Sequence, residues 1–113
     1  MKAKEQLPDN WDLLYLGANV KSPQVQYSSR LHTLTDAWTS HAILYSSKGA
    51  DYCFNNFPYL GDTIYDEWLR AHAQKVLKCF VMNPMIAFQS DGWSDIWKAN
   101  TTYGIKDSQK YLL

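Results

Sequence analysis

From Tyr65 to Leu77 the apolar side chains recur at helical spacing for three turns. Tyr65, Trp68, Leu69, His72, Ala73, Val76 and Leu77 fall on one stripe, and Asp66, Glu67, Arg70, Gln74 and Lys75 on the other. Asp66 and Glu67 open the segment and Lys75 and Lys78 close it, the charge order that a helix dipole favours. Asp62 or Thr63 can cap its start. Such a helix has to bury its stripe against another layer, and three short apolar runs offer one. Trp11–Gly17, His41–Ser46 and Cys79–Asn83 each read as strands bounded by Gly, Ser or Pro. A second helix is expected over Lys48–Phe57, with Ser46 or Ser47 as its cap and Ala50, Cys53, Phe54 and Phe57 facing inward.

The rest of the chain is more polar. Residues 18–40 read as a long loop with a short edge strand near Val25–Tyr27. Ile86–Gln89 continues an extended path after Asn83-Pro84, Ser94–Ala99 can form a helical turn, and residues 100–113 read as a polar tail. The element order predicts one α/β domain over residues 1–113, with a small sheet of about three to four strands and two main helices. A sheet that small has exposed edges, and edges pair with other strands.

Eleven basic and eleven acidic residues leave the chain at zero net charge. That argues against a nucleic-acid surface and against a polybasic membrane anchor. No apolar run approaches the roughly 20 residues a spanning helix needs. The first residues carry no apolar leader core, so the expected location is cytoplasmic. Cys53 and Cys79 form no metal-ligand spacing and no CxxC, and read as two buried thiols. Aromatic residues reach 15%; such rings fill cores and also stack on sugars.

No glycine-rich phosphate loop, zinc spacing or serine elbow is present. His72 lies on the apolar stripe and reads as a packed core imidazole. His41 opens a strand beside the long loop, where either a structural or a ligand-facing role fits. Asp66 is either a solvated acid or, beside Tyr65 and Trp68, a general base for a substrate hydroxyl. Gln89-Ser90-Asp91-Gly92-Trp93-Ser94-Asp95 is the densest polar-aromatic stretch, suited to a sugar or to a capped turn.

Five blocks carry a resemblance. They are Leu7–Gly17 (LPDNWDLLYLG), Thr39–Ala50 (TSHAILYSSKGA), Ile64–Leu69 (IYDEWL), Pro84–Gln89 (PMIAFQ) and Ser94–Ile96 (SDI). In this order they resemble glycosyltransferase family 25, which includes lipooligosaccharide and collagen galactosyltransferases. The resemblance implies a GT-A-type transferase moving sugar from a nucleotide sugar, of the UDP-galactose type, to a glycan acceptor. It implies Asp66 as base or acceptor ligand, with Gln89, Ser94 and Asp95 lining the same cleft and His41 near donor or metal. Trp93, within the polar-aromatic stretch, is added as a sugar-stacking candidate. In the family a divalent metal, usually manganese, joins the diphosphate to a D-x-D motif. That motif precedes the WDLLYLG strand in the family, and these 113 residues contain none. No metal ligand is therefore assigned. The expectation is the C-terminal part of a catalytic domain, inactive alone, either a truncated gene product or a piece completed by another chain. The alternative is a non-catalytic carbohydrate- or partner-binding domain, as a homo-oligomer.

Overall fold

Two runs with no polar face, Leu13–Tyr15 (β1) and Cys79–Met82 (β7), lie side by side as the parallel centre of a sheet. Strands apolar at every position need cover on both faces. The computed structural model, which describes residues 2–38, 42–87, 92–94, 99–101 and 109–112, shows that cover. The chain forms α1 (Lys2–Glu5), β1, β2 (Asn19–Val20), β3 (Gln26–Ser28), β4 (Leu31–Thr33), β5 (Ala37–Trp38), β6 (Ile43–Tyr45) and α2 (Ser47–Asn56). Then come α3 (Tyr65–Trp68), a π-helical turn (Leu69–Ala73), α4 (Gln74–Val76), β7, β8 (Gly92–Ser94), β9 (Ala99–Thr101) and a 3₁₀ turn (Gln109–Leu112).

The main sheet has five strands in the order β3-β4-β7-β1-β6, and β2-β5 and β8-β9 form two separate ribbons. Among the described strands of this sheet only the β1–β7 pair is parallel. This is a small mixed α/β domain, with more strands than the expected three or four. The excess comes from residues 18–40. Expected as a loop with one edge strand, this segment carries four short strands, and β4 lies directly against the central β7. Its strands are two or three residues long, too short to show a period-2 pattern in sequence.

Side chains alternate across the sheet. Leu13, Tyr15, Cys79 and Val81 face α2 and the α3–α4 rod, in a core with Cys53, Trp68, Leu69 and Ala73. Leu14, Phe80, Met82 and Leu31 face the other way, under Ala3, Leu7 and Trp11 from the N-terminal segment. Both cysteines are buried free thiols, as expected. Leu112 of the expected polar tail is fully buried, and its carbonyl accepts from the Asn83 amide at 2.8 Å.

Both main helices are rotated from their expected faces. In α2 the buried positions are Gly49 and Cys53, while Ala50 and Phe54 face outward. Gly49 explains the shift: a Cβ there would lie 2.9 Å from the Asp12 carbonyl carbon, so only glycine lets the helix touch β1. Ser46, one of the two expected caps, accepts the Gly49 N–H at 2.9 Å. In the rod, the π turn inserts one residue and advances the later side chains by about one position. His72 and Val76 leave the core and Gln74 enters it. The N-cap is Ile64, without a side-chain bond, rather than Asp62 or Thr63. The expected turn over Ser94–Ala99 begins and ends in strands β8 and β9, and residues 95–98 lie outside the described ones.

His32 on β4 is 2% exposed, and its Nδ1 has no hydrogen-bond partner among the described residues. Burial holds its pKa below the ordinary 6.5. The unfolded chain therefore takes up this proton first, and stability is lost as pH falls below 6.5. Urea denaturation at pH 7 and pH 5 is expected to show this loss, and His32→Leu to reduce it. Gly49→Ala is expected to cost about 1–3 kcal/mol by overpacking α2 on β1, read as a lower urea midpoint at unchanged slope.

Candidate functional site

The α3–α4 rod crosses from one side of the fold to the other. Its first residue meets β6, where the Tyr45 and Tyr65 hydroxyls are 2.8 Å apart. Its far end meets β5. There Gln74, 2% exposed, donates to the Tyr15 hydroxyl at 2.9 Å and the Ala37 carbonyl at 3.1 Å, and accepts the Ala37 N–H at 3.0 Å. These bonds keep the β2-β5 ribbon against the rod. Two grooves result, one on each side of it.

The first groove encloses about 430 Å³ and is lined by Tyr45, Ala50, Cys53, Phe54, Phe57, Tyr59 and Tyr65. Phe57 is its anchor, edge-on to Tyr59, Tyr65 and Trp68 at 5.1–5.5 Å between ring centres. Burial pushes the Tyr45, Tyr65 and Cys53 pKa values up, so these groups stay protonated at neutral pH. A protonated thiol is a poor nucleophile or metal ligand.

The second groove, about 320 Å³, is the polar one in that four of its six lining residues are charged, although most of the surface they expose to it is apolar. Asp36, Trp38, Glu67, Arg70, Ala71 and Lys75 line it. Arg70 Nε donates to Asp36 Oδ1 at 2.8 Å, and Ser22 Oγ donates to the other oxygen at 2.8 Å. The Arg70 guanidinium lies 4.6 Å from the centre of the Trp38 ring. Lys75 Nζ donates to the Thr35 carbonyl. Burial opposes the Asp36 charge, but the bonds from Arg70 and Ser22 outweigh it and hold the carboxyl below its ordinary pKa.

Asp66 is half-buried on the first turn of α3, next to Glu67 of the polar groove and Tyr65 of the aromatic one. It lines neither groove directly. His41, Gln89 and Asp95 lie outside the described residues. Trp93 and Ser94 are placed only as backbone in β8, so the sugar-binding cluster expected there has no described side chains. His72, expected in the core, is exposed. It stacks between Trp68 and Tyr52, and its Nε2 is 2.7 Å from the Tyr52 hydroxyl.

Sequence reasoning missed Asp36, Trp38, Arg70 and Lys75. The first two sit in the segment read as loop, and the last two look like a solvated helix face. Among the described residues no three His, Cys, Asp or Glu side chains converge on a point that could hold a metal ion. The manganese implied by the resemblance has no site built from them. None of the helices searched among the described residues is long and apolar enough to cross a membrane. Neither a protein-family model nor a curated protein nor a solved structure matches the chain.

Arg70→Ala removes the stronger support of Asp36 and leaves Ser22. The Asp36 carboxyl is then expected to titrate at higher pH than in the wild type, measured by carbon-detected NMR. An unmoved titration would mean that Ser22 alone sets it.

Proposed function

We propose that this chain is the acceptor side of a sugar-transfer domain of the glycosyltransferase family 25 kind. The sugar lies in the polar groove, and Asp66 takes the proton from the acceptor hydroxyl. The observation that carries this reading is the meeting, at one helix start, of the Asp66 turn with a groove of suitable chemistry. Asp36, Glu67, Arg70 and Lys75 offer donors and acceptors for sugar hydroxyls, and the edge of Trp38 offers an apolar surface. The five sequence blocks support it in family order, with Asp66 in the third.

Part of the chemistry rests with these residues and part with residues of the other half. Asp66 stands at the dipole-positive end of the rod, where a carboxylate is favoured, and can accept a proton in hydrogen-bond reach of an acceptor. Arg70, fixed by Asp36 and stacked on Trp38, is held in one direction and orients the bound ring. The D-x-D half, supplied by another polypeptide segment, brings the donor diphosphate. The described residues give it no metal, and no step here passes through one.

The test has two arms. In the first, a galactose-terminated oligosaccharide is titrated into the labelled chain. The Trp38 indole and Arg70 side-chain signals are expected to shift, and Trp38→Ala to weaken binding by about tenfold, the worth of one stacking contact. In the second, the chain is mixed with a D-x-D-bearing half and assayed with UDP-galactose and manganese. Turnover is expected only in the mixture, and Asp66→Asn is expected to lower it by at least about 100-fold with glycan binding retained. Efficient turnover by the mixture carrying Asp66→Asn would remove Asp66 from the chemistry. Absence of binding in the first arm would remove the polar groove.

A further inference from the structure

We infer that the β6 edge is an interface on which a second copy of this chain pairs strand to strand. Among the described residues the sheet ends at β3 and β6, and the two edges are unlike. β3 shifts register between Gln26 and Ser28 and is flanked by Pro23 and Arg30. Irregularity, proline and cations are the devices that stop an edge from recruiting another strand. Within β6 itself none of them occurs, although Lys48 follows it by three positions. Ile43-Leu44-Tyr45 keeps unbroken register with β1 and carries no proline and no charge.

The outward hydrogen-bonding positions can be read from the inner ones. Leu16 N–H donates to the Ala42 carbonyl at 3.0 Å, and Ser46 N–H donates to the Asp12 carbonyl at 2.9 Å. Leu14 and Leu44 pair midway between them. In an antiparallel ladder the backbone groups alternate between the two sides. Those of Ala42, Leu44 and Ser46 face β1, so those of Ile43 and Tyr45 face the open side. A second copy running antiparallel about a two-fold axis at Leu44 sets Ile43 against its Tyr45, and Tyr45 against its Ile43. Each of these pairs exchanges both backbone hydrogen bonds. The arrangement is self-complementary, as an isologous interface requires.

Beside this edge lies the aromatic groove, and Tyr45 belongs to both. Phe54, Tyr59 and Leu60 are 71%, 64% and 92% exposed. No lining residue is charged, a composition that marks an interaction surface. A second copy fits it electrically as well, because a chain with zero net charge meets its like without net repulsion. The polar groove shares no lining residue with the aromatic one, so the inference does not depend on the sugar-transfer reading.

Sedimentation velocity over a concentration series, with light scattering, tests it. The wild type is expected to reach twice the chain mass. Ile43→Pro removes an outward N–H without touching a bond to β1, and Phe54→Asp places a charge on the patch at a position folding leaves exposed. Each is expected to weaken association by about tenfold or more with an unchanged far-ultraviolet circular dichroism spectrum. If Ile43→Pro loses that spectrum, Phe54→Asp decides the matter alone. A wild type that stays monomeric at its highest soluble concentration, even one that binds an unrelated strand-forming peptide, overturns the inference. So does dimerisation of Phe54→Asp with wild-type strength.

Discussion

Asp12 fastens three parts of the chain that are distant in sequence. Its N–H donates to the Lys78 carbonyl at 2.9 Å, and its carboxylate accepts the Lys78 N–H at 2.8 Å, across 66 residues. Its carbonyl accepts the Ser46 N–H at 2.9 Å, and Ser46 in turn caps α2. The remaining carboxylate oxygen faces Lys48 Nζ at 3.5 Å, an ion-pair distance without a hydrogen bond. The residue is 2% exposed. A buried carboxylate is costly unless it is paired, so the contacts that join the start of β1, the β6–α2 junction and the α4–β7 junction at Asp12 depend on one another. Closing so long a loop costs entropy before any contact repays it. The bonds at Asp12 set the register of the parallel pair on which both core faces are built.

The second constraint is the π turn. A regular helix through Tyr65–Val76 would keep His72 on the buried stripe and Gln74 on the surface. The inserted residue reverses the two. Gln74 then ties the rod to both the central strand and the β2-β5 ribbon, through Tyr15 and Ala37. Buried amides of this kind tolerate no missing partner. They fix where Trp38 and Asp36 stand, and hence the shape of the polar groove. His72, released from the core, completes a ladder of rings from Tyr65 through Trp68 to Tyr52.

The elements that could be read from sequence were those with length or periodicity. β1, β6, β7 and both helices stand where the apolar runs and stripes place them, and Ser46 caps where a serine should. The faces of the helices were not legible, because each depends on contacts absent from local sequence. Gly49 is forced by the Asp12 carbonyl, and the π turn is stabilised by what Gln74 reaches. The four strands of residues 18–40 escaped for another reason: at two or three residues each, tertiary pairing decides them and propensity does not. The polar groove was lost with them, since Asp36 and Trp38 acquire meaning only when β5 is laid against the rod. Asp66 was visible as a helix-start acid next to aromatics, and its turn does stand between two grooves.

Only one of these two grooves has charged residues in its lining, and one helix separates them. On the Tyr65 side the lining is aromatic, its hydroxyls and thiol are kept protonated by burial, and the sheet edge next to it is free of charge. Water is a poor competitor there, which favours another apolar surface. On the Arg70 side two of the charges, Asp36 and Arg70, are already paired and directed. Asp36 is held ionised by Arg70 and Ser22, and Arg70 is held by Asp36 and Trp38. A group fixed in this way loses little side-chain entropy when a ligand arrives. The same rod therefore carries a face suited to permanent contact and a face suited to reversible polar recognition. The Asp66 turn lies at the boundary between them, next to Tyr65 of the aromatic lining and Glu67 of the polar one.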